Sequence, residues 1–444
     1  MNNQSWLSRS RQAVWHPCTQ MKLHESLPIV PIARGEGIWL YDFEGKRYLD
    51  GVSSWWVNLF GHCNPVIGDA LKQQLDTLEH VILAGFTQQP VIELSERLAA
   101  LTGLGHAFYG SDGASATEIA LKMSFHYWRN TGRAEKCEFV SLENSYHGET
   151  IGALSVTDVP LFRDTYAPLL RHSHRVPSPD PRLARPDETA EQYAARTLVS
   201  LETLLADHGQ RIAALIVEPL VQCAAGMAIY PASWLKQAAA LCEKYQVHLI
   251  ADEIAVGFGR TGSMFAHQQA QIRPDFICLS KGITGGYLPL AAVLTTNKVY
   301  EAFYDDHIGR GFLHSHSYTG NALACRAALT VLDIFEHDQV LAVNESKTTR
   351  FNLLAAPLAQ HSRVHNFRNI GMIWAFEVDS AGPGFSQRCF SAALARGLLL
   401  RPIGNTVYLM PPYVIDDAGF GLFVEVMLSL LDSAEFAPVA SAEK

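Results

Sequence analysis

Two residues with the means to do chemistry follow short apolar runs, Asp252 after residues 247–251 and Lys281 after residues 275–279. Both runs have strand character. In parallel α/β sheets, residues just past the carboxyl ends of strands collect in one crevice, so an acid and an amine far apart in sequence can meet there. Such a pair suits a pyridine cofactor attached through the lysine and paired to the acid at its ring nitrogen. Opposite charges about 4 Å apart attract by about 4 kcal/mol at an effective dielectric near 20, enough to keep that nitrogen protonated. The lysine, released when a substrate amine displaces it, can then carry a proton. Ile254, two positions beyond Asp252, is suited to press on one face of the ring.

These residues need a frame. Residues 107–109 read as a strand, 110–114 as a tight turn, and 115–128 as a helix with Ala116, Ile119, Ala120, Met123 and Tyr127 on one face. A small-residue turn feeding a helix start can cradle a phosphate with free N–H groups and the helix dipole. The same residue types are ordinary caps, so this signal is weak by itself. A carboxylate beside a phosphate dianion is repulsive. Asp112 is therefore expected to cap the helix while the N–H groups near Gly113 and Ala114 hold the anion. Gly257, Gly259 and Gly262 of GFGRTG suit a tightly folded loop.

Further strands are expected at 139–142 and 213–217, a hairpin at 39–41 and 47–49, and helices at 66–79, 91–101 and 189–208. The last hundred residues read as a small α/β unit: strand 372–378, helix 387–396, strands 398–403 and 406–410, helix 420–431. Residues 172–187, rich in Pro, Arg and His, read as an exposed loop. The stretch FLHSHSYTGNALAC carries His314, Ser315, His316 and Ser317. With neither an acidic partner nor a GxSxG elbow, metal and serine-nucleophile readings are both weak.

A chain of 444 residues that is 48% hydrophobic can bury a large core in two or three domains, and a net charge of −9 disfavours nucleic acid or an anionic membrane as partner. Eight dispersed cysteines without CxxC spacing suggest reduced thiols. Neither a signal-like segment in the first thirty residues nor a long apolar run is evident, so a cytoplasmic protein is expected.

DEIAVGFGRTG followed by LSKGITGG resembles the class III aminotransferases, pyridoxal 5'-phosphate enzymes of fold type I. The resemblance implies an α/β fold: a large domain, residues 63–330, with a mostly parallel seven-stranded sheet, and a smaller α/β domain built from residues 1–62 and 331–444. SSWW at Ser53–Trp56, YHG at 146–148 and RPIG at 401–404 narrow it. They point to members that move an amino group onto 8-amino-7-oxononanoate in biotin synthesis, by a ping-pong route with S-adenosylmethionine as donor. Lys281 and Asp252 then take the roles given above, and Tyr146 stacks on the cofactor ring opposite Ile254. Trp55 walls the substrate pocket, Trp56 is structural, and Arg401 binds the end carboxylate. Glu218 supports the site without transferring protons.

The resemblance also implies a homodimer with shared sites, in which Ser317 reaches the partner's phosphate. His316 stands where the family has a proline, and Ser315 where a glycine borders the substrate. Cys18 replaces a pocket tyrosine, Asp112 a hydroxyl residue and Glu149 an aspartate; Cys18, Glu149 and His316 leave the donor open between S-adenosylmethionine and lysine. Rival readings are another class III transaminase acting on omega-amino acids, and a non-catalytic cofactor-binding protein. Intact Asp252 and Lys281 weigh against the second.

Overall fold

Apolar runs line up as a seven-stranded sheet in the unit Val66–Ala342, one of two into which the chain divides; the other combines Met1–Pro65 with Val343–Lys444. The computed structural model describes residues 2–379, 382–433 and 436. From edge to edge the strands run His106–Gly110, Ala291–Thr295, Phe276–Leu279, His248–Asp252, Ile212–Val217, Glu138–Leu142 and His174–Val176. Only Ala291–Thr295 is antiparallel to its neighbours, and the other six point one way. Every residue of Ile212–Val217, His248–Asp252, Phe276–Leu279 and Ala291–Thr295 is buried. Strands covered on both faces read as continuous apolar runs rather than alternating ones, as these do. The helix Gly113–Asn130 packs Ala116, Ile119, Ala120 and Met123 into the same core as Ile216, Ile250, Phe276 and Val293.

The stretch 172–187 differs from the expected exposed loop. His174–Val176 is an edge strand parallel to Glu138–Leu142, and Ser173, Ser178 and Asp180 are buried. The basic residues found acids: His174 pairs with Glu138 at 2.8 Å, Arg175 with Asp158 at 2.8 Å and Arg182 with Asp180 at 2.7 Å. The charges of His174 and Arg175 masked the strand, because Glu138 and Asp158, distant in sequence, neutralise them.

In the other unit, Ile32–Glu36, Trp39–Asp42, Arg47–Asp50 and Leu398–Leu399 form a four-stranded sheet. The last of these is parallel to Arg47–Asp50, which joins the two ends of the chain. Val364–Ile370, Ile373–Val378 and Thr406–Leu409 form a second sheet. Phe351, Trp374 and Phe420 centre its core, with ring centroids 4.3 Å apart for Phe351–Phe420 and 5.0 Å for Trp374–Phe420. The strand expected at 398–403 stops at Leu399, leaving Arg401 exposed beyond it. Pro402 offers no N–H to a ladder, Gly404 takes φ +59°, and Ile403 bridges to Thr406 in a tight turn. No helix among the described residues is long and apolar enough to cross a membrane.

Candidate active site

Five chemistry-bearing segments leave the same edge of the seven-stranded sheet, because the six co-directional strands end there. Asp252 ends its strand and is 4% exposed. Its Oδ1 accepts the Ile254 N–H at 3.1 Å, and its Oδ2 lies 2.6 Å from Nδ1 of buried His147. These contacts hold the carboxylate in one orientation. On the neighbouring strand, Ser280 donates to the Leu290 carbonyl at 2.8 Å, and Lys281 follows at φ +46°. A left-handed conformation costs a non-glycine residue about 1–2 kcal/mol and marks places where the surroundings impose it. Burial pushes the Lys281 ammonium below the usual lysine range, against the opposing pull of Asp252, Cys223 and Glu218. The amine and the acid far upstream are therefore brought into one electrostatic neighbourhood.

Tyr146 donates its N–H to Glu218 Oε1 at 3.0 Å and its hydroxyl to Glu149 at 2.9 Å. Glu218 also accepts the Cys223 N–H at 3.0 Å. Asp112 caps the helix Gly113–Asn130, accepting the Ser115 N–H at 2.8 Å and its hydroxyl at 3.0 Å. The N–H groups of Gly113 and Ala114, in the first turn, have no intrahelical acceptor. Gly113 is required by close approach: a Cβ there would sit 2.9 Å from Ile254 Cγ2. His316 lies 3.3 Å from Ser111 Oγ in the same chain, just ahead of the cap. Ser315 and Ser317 are exposed, and the Ser317 carbonyl accepts from His80 at 2.6 Å.

Trp55 and Arg401 belong to the other unit and meet there. The Arg401 guanidinium lies 4.6 Å from the Trp55 ring centroid and makes no ion pair among the described residues. Stacked this way, its N–H edge stays open to a carboxylate. Trp55 is 42% exposed, whereas Trp56 is buried and donates to the Tyr408 hydroxyl at 3.2 Å.

A desolvated amine beside a buried, oriented carboxylate, with a helix start open to an anion on the same sheet edge, fits pyridoxal 5'-phosphate. Nε2 of His147 is buried without a partner, so the imidazole serves Asp252 alone. A mostly parallel seven-stranded sheet with this lysine and acid at its carboxyl edge defines a fold type I pyridoxal phosphate enzyme. The sequence profile of Aminotransferase class-III matches residues 21–431. The chain belongs to that family and is a pyridoxal phosphate-dependent aminotransferase. Over 427 residues it is 50% identical to the adenosylmethionine-8-amino-7-oxononanoate aminotransferase of Helicobacter pylori, covering 94% of this chain and 96% of the relative. The solved structure of the Methanocaldococcus jannaschii enzyme of that name superposes with TM-score 0.89 at 35% identity, over 96% of this chain and 98% of that one. An omega transaminase of Pseudomonas jessenii, solved in complex with PMP, superposes with TM-score 0.91 at 30% identity, over 96% and 97%. Shape alone therefore does not separate substrates within the family.

The contact of His147 with Asp252 and the proton affinity of Glu218 lay outside the sequence reading. His147, present there only as the middle residue of YHG, is the partner of Asp252; its position next to Tyr146 is the signal that marks it. Glu218 is a buried carboxyl that burial pushes up to about 7, with His147 opposing. Its proton is held in the folded chain up to about pH 7 and in the unfolded chain only to its ordinary value of 4.5. Stability contributed through this group therefore falls as pH rises from about 4.5 to 7 and levels off above. The full span is on the order of 3 kcal/mol. In protein freed of cofactor, urea midpoints of Glu218→Gln should be lower than wild type at pH 5, where an amide faces two N–H donors, with the gap narrowing by pH 8. A gap that widens with pH would reverse the assignment.

Proposed function

We propose that this protein transfers an amino group from S-adenosylmethionine to 8-amino-7-oxononanoate, giving 7,8-diaminononanoate in biotin synthesis, by a ping-pong route. The observation that carries this reading is the 50% identity across nearly the whole chain to an enzyme named for that donor and acceptor. The open guanidinium of Arg401 over Trp55 supports it, since the acceptor ends in a carboxylate. Bound pyridoxal phosphate supplies an electron sink for the negative charge that develops at the carbon losing its proton. Asp252, oriented by His147, keeps a positive charge at the ring nitrogen. Lys281, its ammonium weakened by burial, takes up and returns the migrating proton at its Nζ. The N–H groups of Gly113 and Ala114 hold the phosphate, with Ile254 and Tyr146 flanking the ring. Arg401 grips the acceptor's end carboxylate, and Trp55 walls its chain.

The family resemblance supports a cytoplasmic homodimer in which Ser317 and His316 serve the phosphate and Ser315 borders the substrate. Absorbance changes of the cofactor on adding each compound separately, with mass detection of 7,8-diaminononanoate, test the reading. Response to neither S-adenosylmethionine nor lysine would overturn it. Arg401→Ala is expected to raise the KM for 8-amino-7-oxononanoate by about 100-fold, the loss of a charged hydrogen-bonded contact of roughly 2–3 kcal/mol. The half-reaction with the donor should keep its cofactor absorbance change. An unchanged acceptor KM would remove Arg401 from recognition.

A further inference from the structure

The turn that presents Trp55 is built against its own backbone preference. Ser53, Ser54, Trp55 and Trp56 take φ of +50°, +47°, +72° and +71°, four consecutive non-glycine residues in a region that L side chains avoid. One side chain answers for this. The carboxylate of Asp50, a residue wholly shielded from solvent, accepts the Ser54 N–H at 2.9 Å and the Val52 N–H at 3.4 Å on Oδ1. On Oδ2 it accepts the Ser54 hydroxyl at 2.7 Å and meets His62 Nε2 at 2.9 Å. His62 is itself fixed by paired backbone hydrogen bonds with Gly37 at 3.0 and 2.7 Å.

The same residue stands beside the strand that delivers Arg401. Asp50 pairs with Leu399, two residues before the arginine, and the Gly51 N–H donates to the Leu399 carbonyl at 3.1 Å. That approach leaves no room for a side chain, since a Cβ at Gly51 would lie 2.8 Å from the Leu399 carbonyl oxygen. On the far side, the Met410 N–H donates to the Gly51 carbonyl at 2.9 Å and Ser53 Oγ donates to the Met410 carbonyl at 2.8 Å. The turn is thus tied to the chain on either side of Arg401.

We propose that Asp50 is a positioning residue for substrate recognition: without touching substrate, it holds the left-handed Ser53–Trp56 turn so that Trp55 lies under the guanidinium of Arg401. The inference rests on the proposed function, which makes Trp55 and Arg401 the acceptor's binding pair. Asp50→Asn keeps the size and an oxygen for the two N–H groups on Oδ1, but sets an NH2 donor in the place of Oδ2 against the Ser54 hydroxyl and His62, so the turn loses its tie on that side. Tested in the cofactor-loaded enzyme, this variant is expected to raise the KM for 8-amino-7-oxononanoate by about 10-fold or more with kcat within about 3-fold of wild type, because misplacement of a binding group by about 1 Å carries effects of that size. Cofactor uptake and absorbance should match wild type, a readout that general loss of structure would not spare.

In a Trp55→Gly background, where glycine accepts φ +72° freely, adding Asp50→Asn should change KM by less than about 2-fold. If Asp50→Asn does not fold, Ser54→Ala, which removes one donor only, decides the matter with an expected KM rise of about 3-fold. The proposal is overturned by an acceptor KM within 2-fold of wild type in the folded variant, by a fall in kcat or cofactor uptake as large as the rise in KM, or by full additivity with Trp55→Gly. A wild-type enzyme that ignores 8-amino-7-oxononanoate would instead refute the proposed function.

Discussion

Lys281→Ala is expected to reduce turnover by at least about 10⁴-fold while leaving cofactor bound. Two separate losses combine. The covalent attachment should disappear, and with it the amine proposed to move the proton, a contribution of about 10² to 10⁴ by itself. Cofactor is expected to stay bound because the N–H groups of Gly113 and Ala114, proposed above to hold its phosphate, belong to a helix start that does not depend on the lysine. The absorbance of the lysine-linked cofactor should vanish from the purified variant, and a small primary amine such as methylamine should restore part of the rate. Rescue is expected because the site around Lys281 is set by Ser280 and by the sheet, not by the ammonium itself. Turnover within 100-fold of wild type would mean that another base moves the proton, and the site as assigned here would be wrong.

The second large effect lies at Asp252. Asp252→Asn keeps the shape and removes the charge, and the expected loss in kcat is about 10³-fold, the scale seen when one preorganised electrostatic contact to developing charge is deleted. His147→Asn should cost less, about 10-fold, because His147 acts only through the orientation of Asp252. A structural defect would lower activity in both without touching the cofactor's spectrum. Loss of the carboxylate should instead lower the pH at which the ring nitrogen of the bound cofactor deprotonates, read by spectrophotometric titration. An unshifted titration in Asp252→Asn would show that the acid does not face the ring.

Glu218 shows how much electrostatics a strand end can hide. Its Glu-Pro position at the end of a buried strand is legible, yet its proton affinity is not, since that depends on burial and on His147 and Asp252 arriving from other strands. Arg401 shows the opposite case. The residue stands out as a charge in an apolar run, and that run made it look like part of a strand. Pro402 and the Gly404 turn end the ladder earlier and expose the guanidinium. The edge strand His174–Val176 was concealed by charges whose partners, Glu138 and Asp158, sit more than ten residues away.

What the sequence determined by itself was local or periodic in origin. Continuous apolar runs ending on Asp252, Glu218 and near Lys281 mark buried parallel strands, because only a strand covered on both faces lacks polar alternation. Asp112 before a small-residue helix start marks a cap, because a carboxylate there satisfies first-turn N–H groups. What only the tertiary structure decided were the relations between segments: His147 on Asp252, Asp50 beneath a left-handed turn, and Arg401 stacked on Trp55. Each depends on the direction of a side chain relative to a strand or turn contributed from elsewhere. Hydrophobic periodicity reports which face of a segment is buried and is silent on which neighbour the chain will bring against it.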